Sequence, residues 1–334
     1  MRLLTALAFL ALAACSGGES GELELAGSTM GTQYSIKLPY PGLDGAALEN
    51  EVEAVFADVN QMMSTYLPDS EISQFNLSNS TDWHPVSGAF CLSVEKAQEI
   101  SAETGGAFDI TVAPLVNLWG FGPGDAIYEP PPDEEIAATM ESIGYDKLHT
   151  NCSAPALRKD VPELMLDMSA FGKGFAADRV ATLLDGKGFK NYLIEVGGEL
   201  RVRGHNIKNE KWAIGIEMPL TDQRRPHTRV LVTNTALATS GDYRNFFISE
   251  GQRYSHTIDT RTGRPVTHDL ASVTVLDPRG YRADALATAL LVMGPEEGLS
   301  FAKADSLAAL FLVREDDGFR ELTTPAFDRL RAET

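Results

Sequence analysis

Near residue 190 the apolar side chains of this chain change their spacing, from the three-and-four repeat of helices to the alternation of strands. Ahead of that point, Val52, Val55, Phe56, Val59, Met62 and Met63 fall on one helical face over 46–63. A second helix is predicted over 92–104, ending at Gly105-Gly106, and a short one at 134–143 after the Pro130-Pro131-Pro132 loop. Gly172 and Gly174 open another, carrying Phe175, Val180, Leu183 and Leu184. Beyond it, strands are predicted at 192–196, 200–203, 212–217, 229–233 and 272–276, then a helix at 283–293 and a strand at 307–313. An early strand covers 34–38. Strands in runs with interspersed helices give an α+β body rather than a regular βαβ winding. No linker divides it, so one compact unit is expected over 25–330.

Residues 1–14 stand outside that unit. Arg2 supplies a positive start, the apolar run Leu3 to Leu12 is too short to span a bilayer, and Leu12-Ala13-Ala14 precedes Cys15. This reads as a signal peptide, and small residues before a Cys resemble the lipobox of bacterial lipoproteins. Cys15 is then the lipidation site, placing the protein on the periplasmic side of a bacterial membrane. The alternative is a plain secretory signal with an incidental Cys. The polar, glycine-rich residues 16–21 suit a flexible tether, assigned to 15–24. Cleavage before Cys15 would remove Arg2 and take the net charge from −19 to −20. So acidic a body argues against nucleic-acid binding. Of the three cysteines, Cys91 and Cys152 remain, either bridged or as free buried thiols. The absence of CxxC, HExxH or a Cys/His cluster argues against zinc and iron–sulfur sites.

Five segments carry polar or glycine residues that a plain core would not require. In Gly27-Ser28-Thr29-Met30-Gly31-Thr32, small residues allow close ligand approach or simply form a turn before the strand at 34–38. In Gly105-Gly106-Ala107-Phe108-Asp109-Ile110-Thr111, the glycines either present backbone N–H groups to a ring edge or phosphate, or merely end the helix. Asp167 to Asp178 sets Lys173 between Gly172 and Gly174 at a helix start, a phosphate-binding composition. It lacks the Walker A spacing, and Lys173 on a solvated turn is the alternative. His256 lies in an extended segment that ends in a tight Asp259-x-x-x-Gly263 turn, as a base with an oriented ring would. Asp284 and Thr288 sit four apart on one helix face, a hard-oxygen pair suited to Mg²⁺. Alternatively, or in addition, Asp284 caps the helix and Thr288 bonds back into it.

Together with Ser64-Thr65-Tyr66, Asp69 to Ser73, Glu195-Val196-Gly197-Gly198-Glu199-Leu200 and Ala238 to Tyr243, these segments resemble the FAD:protein FMN transferase (ApbE) family, from about Gly27 to Gly294. The resemblance implies a T-fold-like α+β body with two lobes around an FAD site. It implies FAD contacts from Met30, Tyr66, Ala107, Phe108, Asp109, Asp167, Lys173 and Ile258. It implies Mg²⁺ held by the Ala170 carbonyl, Asp284 and Thr288; some members carry a further carboxylate where this chain has Ala287. The implied reaction passes FMN from FAD to a threonine of an acceptor protein and releases AMP, with His256 as base. Acceptors would carry a D-x-x-[ST]-[GA]-A-T-like motif, as in Rnf-type or sodium-translocating quinone reductase subunits. Asp259 is read as orienting the His256 turn. Alternatives are an FAD pyrophosphatase giving FMN and AMP, and a non-enzymatic FAD-binding lipoprotein.

Overall fold

The computed structural model describes residues 21–332 apart from 125, 126, 222, 244 and 317, so the signal segment, Cys15 and most of the tether lie outside the described residues. An eight-stranded antiparallel sheet takes its strands in sequence order: β1 (Leu23–Thr29), β2 (Thr32–Leu38), β3 (Tyr192–Val196), β4 (Glu199–Arg203), β5 (Thr235–Gly241), β6 (Leu270–Asp277), β7 (Ala308–Glu315) and β8 (Gly318–Thr323). The helices are α1 (Ala46–Met63), α2 (Glu71–Leu77), α3 (Gly88–Glu103), α4 (Ala113–Leu118), α5 (Asp133–Met140), α6 (Ser169–Gly186), α7 (Gly280–Ala304) and α8 (Pro325–Ala332). The expected α+β body is what the chain forms.

Each face of the sheet has its own cover. On one, Val52, Phe56 and Val59 of α1, Val180 and Leu184 of α6, and Leu286 and Leu290 of α7 join Ile36, Ile194, Val273 and Phe311 in the main core. On the other, Trp212, Ile214 and Ile216 of a hairpin and Phe327 of α8 cover Leu237, Leu276, Leu310 and Leu312. Strand β6 lies between both covers, so all eight of its residues are buried and its apolar residues do not alternate. A third, smaller cluster gathers Leu115, Trp119, Ile136, Phe247 and Ile258.

Several element limits differ from those read in the sequence. Helix α3 begins at Gly88, because Ser87 accepts the Phe90 N–H at 3.1 Å and caps it. Helix α6 begins at Ser169, which puts Gly172 and Gly174 inside it rather than at its start. Helix α7 continues to Ala304 through a break at Gly294, where φ is +80° and Pro295 follows. Elements α2, α4, α8, β5 and β8 were not predicted. Strand β1 includes Leu23 and Glu24, paired with Leu38 and Lys37, so the last two tether residues belong to the sheet. Cys91 and Cys152 form a disulfide, with Cα atoms 5.6 Å apart across 61 residues of sequence. No helix among the described residues is long and apolar enough to cross a membrane.

Candidate active site

A cavity of about 450 Å³ opens where the first half of α6, the start of α7, the end of β5, the 105–112 turn and the 254–260 segment meet. Every described site residue expected from the sequence lines it except Met30. Met30 lies at the β1–β2 turn beside α6, its Cε 3.1 Å from where a Cβ on Gly172 would stand. Met30 and Gly31 are the turn's two central residues, at φ +50° and +69°, the handedness that closes a two-residue hairpin. Tyr66 stands at the rim, 71% exposed.

The floor is charged. Helices α6 and α7 approach backbone to backbone: a Cβ on Gly174 would meet the Gly280 carbonyl oxygen at 2.2 Å. That closeness lets Asp284 Oδ2, one turn further along α7, accept the Gly174 N–H at 3.0 Å. Asp284 thus bonds across to α6 and does not cap its own helix, which starts at Gly280. Thr288 shares a 2.8 Å hydrogen bond with Ser240 of β5. Lys173 is no solvated turn residue: its Nζ lies 3.4 Å from Glu199 Oε1. Glu199 is presented by the two-residue Gly197-Gly198 turn between β3 and β4, with φ of +60° and +103°. Burial pushes Glu199 up to about 8, with Asp284 adding to the rise and Lys173 opposing it. Burial alone would lower Lys173, yet Asp284, Glu199 and Asp167 outweigh it and hold the ammonium charged.

Among the described residues no cluster of three or more His, Cys, Asp or Glu could hold a metal, and the oxygen donors expected for one are Ala170, Asp284 and Thr288. Ala170 has non-helical angles within α6 (φ −89°, ψ 18°), which turns its carbonyl out of the regular ladder beside Asp284 and Thr288 in the cavity wall. A carbonyl, a carboxylate and a hydroxyl match Mg²⁺, which keeps several of its positions for water and phosphate oxygens. Ala287 is fully buried and does not line the cavity, so it adds no ligand.

The wall opposite carries the imidazole. His256 Nδ1 and its backbone N–H both lie on the Asn245 carbonyl, at 3.0 and 3.1 Å. A carbonyl only accepts, so Nδ1 carries the proton and Nε2 keeps its lone pair. Burial lowers the imidazole below its ordinary value, with Lys173 and Arg253 adding to the drop while the Asn245 carbonyl and Asp242 oppose it. The Phe121 ring meets it edge-on at 6.3 Å.

For three expected residues or pairs the structure shows other local partners. Gly105 and Gly106 donate their N–H groups to the Ala102 and Ser101 carbonyls, a complete helix C-cap, so these amides are not free for a ligand. The carboxylate of Asp109 is likewise taken up, by the Thr111 N–H and hydroxyl and the Tyr145 N–H at 2.8–2.9 Å, and burial raises its pKa. Asp259 orders its own turn through Arg261 and the Gly263 N–H, while the ring of His256 is held by Asn245. Glu199, Ser240, Asn245 and Phe121 were not assigned roles from the sequence. A Gly-Gly pair between two strand runs could have drawn attention to Glu199; Asn245 acts through its main chain and leaves no side-chain signal.

The fold and the site define an α+β enzyme whose cavity pairs an imidazole with a lysine–carboxylate floor. The sequence profile of the ApbE family matches residues 30–311. The chain is 43% identical to the FAD:protein FMN transferase of Vibrio cholerae, covering 97% of both, and 40% identical to that of Haemophilus influenzae, covering 96% of this chain and 94% of the relative. The solved flavin transferase ApbE from Vibrio cholerae superimposes with a TM-score of 0.85 at 42% identity, covering 92% of this chain and 99% of that one. The apo flavinyl transferase ApbE of Pseudomonas stutzeri gives 0.85 at 38% identity, covering 92% and 96%. The chain belongs to the ApbE family.

Proposed function

We propose that this enzyme, whose relatives are FAD:protein FMN transferases, moves FMN from FAD onto a threonine hydroxyl of an acceptor protein and releases AMP. The observation that carries the reading is the His256 ring: its Nδ1 is tied to Asn245 and its Nε2 is unprotonated, in the same cavity as Lys173 and Asp284. His256 Nε2 takes the hydroxyl proton as the threonine oxygen attacks the phosphorus nearer the flavin. The bond from that phosphorus to the bridging oxygen breaks, and AMP leaves with that oxygen. Lys173 faces the diphosphate with its charge. Tyr66, Ala107, Phe108 and Ile258 line the cavity as apolar walls for the ring systems. Asp109 and Asp167 shape the loops around it, Asp167 by accepting the Ser169 N–H at 2.7 Å, and Met30 closes the α6 side. The Ala170 carbonyl, Asp284 and Thr288 would hold Mg²⁺, which when bound would supply charge neutralisation on the diphosphate.

The same proposal puts the enzyme on the periplasmic face of a bacterial membrane, anchored through Cys15, on the strength of the Leu12-Ala13-Ala14-Cys15 signal. Its acceptors would be membrane or exported redox proteins with a D-x-x-[ST]-[GA]-A-T-like motif, such as Rnf-type or sodium-translocating quinone reductase subunits. The test incubates residues 16–334 with FAD, Mg²⁺ and an acceptor bearing that motif, then weighs the acceptor by intact-mass spectrometry and assays AMP. An acceptor heavier by one FMN, with AMP released and EDTA blocking both, is expected. AMP and FMN with no adduct would point to a pyrophosphatase or to a wrong acceptor, and no AMP would leave only a flavin-binding protein. His256→Ala should abolish transfer while FAD still binds; normal turnover would remove His256 as the base.

A further inference from the structure

We propose that Asp242 is a positioning residue for His256, acting with Arg253 and Arg314 as an ion cluster built on one buried carboxylate that fixes both the strand leading to the imidazole and the carbonyl holding its tautomer. Asp242 follows β5 directly and is 4% exposed. Its Oδ2 accepts Arg253 Nη1 and Arg314 Nη1, each at 2.9 Å, and its Oδ1 accepts Arg314 Nη2. Its main-chain carbonyl accepts Arg253 Nη2. Its N–H donates to the Ala271 carbonyl of β6 at 3.2 Å.

The two arginines come from different bodies. Arg314 belongs to β7 of the central sheet, and its N–H is held by the Asp269 carbonyl at 2.8 Å. Arg253 belongs to the peripheral hairpin of Phe246–Ser249 and Gln252–Ser255, three residues before His256, and its guanidinium lies 4.2 Å over the Phe246 ring. Asn245, whose carbonyl holds His256, lies three residues after Asp242. Both partners of the His256–Asn245 contact therefore hang from one carboxylate, which is itself bolted to the sheet. A carboxylate this deeply buried is costly unless paired, and one forked partner on each side satisfies it. The hairpin's own strand pairing is only four residues long; Phe247 and Tyr254 seat one side of it on Phe121 and Trp119, and the Asp242–Arg253 pair ties it to the sheet.

Two members of the cluster also act electrostatically on the imidazole, in opposite senses. Burial lowers the imidazole most; of the nearby charges, Lys173 from α6 and Arg253 from the hairpin disfavour the imidazolium, and Asp242 after β5 favours it. Removing the acid and removing the base therefore push His256 in opposite directions, a signature that loosened packing alone would not give.

The inference rests on the reading in which His256 is the base, and the experiment separates the two. Transfer kcat, the KM for FAD and the pH profile are measured for wild type, His256→Ala, Asp242→Asn and Arg253→Gln. Imidazole ¹⁵N NMR follows the tautomer and pKa of His256 in the first, third and fourth. Both cluster variants should lose about tenfold or more in kcat, as misplaced reacting groups do, with the KM for FAD changed by less than about twofold, because this cluster lies outside the cavity floor. The acid limb should move to lower pH in Asp242→Asn and to higher pH in Arg253→Gln. Arg253→Gln keeps the Asp242–Arg314 pair, so it tests the idea even if Asp242→Asn fails to fold. Unchanged kcat in Arg253→Gln, or limbs that stay put or move the same way, would overturn the inference. A wild type without transfer, or an active His256→Ala, would overturn the base. The ¹⁵N spectra would then decide the cluster alone: an unaltered tautomer and pKa in the variants would sink it.

Discussion

Gly174→Ala puts one methyl group into the tightest helix contact of the active site. The added Cβ would lie 2.2 Å from the Gly280 carbonyl oxygen and 2.9 Å from the Tyr281 nitrogen, so α6 and α7 must separate. Overpacking of this kind costs about 1–3 kcal/mol. Lengthening the 3.0 Å bond from the Gly174 N–H to the Asp284 carboxylate removes up to about 1.5–3 kcal/mol more. Alanine returns at most about 1 kcal/mol of helix propensity. The net loss is about 1.5–5 kcal/mol, a fall in Tm of about 2–8 °C for a chain of this size. Gly186→Ala, at the other end of the same helix with nothing within 4 Å of the new Cβ, is the control and should be neutral or slightly stabilising. Thermal melts of both variants give the comparison, and a Mg²⁺ titration of FAD turnover should show a raised requirement in Gly174→Ala only. Equal melting points for the two variants, or an unchanged Mg²⁺ requirement in Gly174→Ala, would refute the claim that backbone contact at this point sets the position of Asp284.

Replacing Cys91 and Cys152 together by Ser opens a loop spanning 61 residues and should destabilise the fold by about 4 kcal/mol on chain-entropy grounds, read from urea unfolding; a midpoint unaffected by reductant in the wild type would contradict this. Because burial lowers the His256 pKa, the imidazole stays a base as pH falls past its ordinary value. The acid limb of kcat should therefore lie below about 6.5, and a limb at or above that value would count against a buried, neutral ring. Met30→Gly should relieve a left-handed backbone at φ +50°, worth about 1 kcal/mol, yet weaken FAD binding by removing the side chain that leans on Gly172. Tighter FAD binding in that variant would show that Met30 only obstructs the site.

How much could be read in the sequence depended on where each signal lives. The 46–63 helix and the 192–196 and 212–217 strands came out at their full lengths because one face of each is buried and the other is not. Strand β5 escaped because Thr239, Ser240 and Gly241 look like loop residues; they are polar because they face the cavity, not because the chain turns there. Lys173, His256, Asp284 and Thr288 were legible as chemistry-bearing types in suggestive settings, and the fold gathers them. The Gly105-Gly106 pair misled as a source of amide donors, since a helix end and an anion cradle use the same residues. The Asp242 cluster was out of reach of sequence, because its three members are drawn from strands and loops up to 72 residues apart.

The sequence order of the central sheet hides one long interval. Strand β2 pairs with β3, Ile36 against Ile194, and all of α1 to α6 is made between them. The β1–β2 hairpin must therefore wait for its neighbour until all of that intervening chain has followed it. Throughout that wait Tyr34, Ile36 and Leu38 belong to a hairpin with an open edge and no β3 beside it, although each is fully interior in the finished protein. Until β3 arrives, that open apolar edge is a template for pairing with another chain, and the finished sheet removes it by closing β3 onto β2.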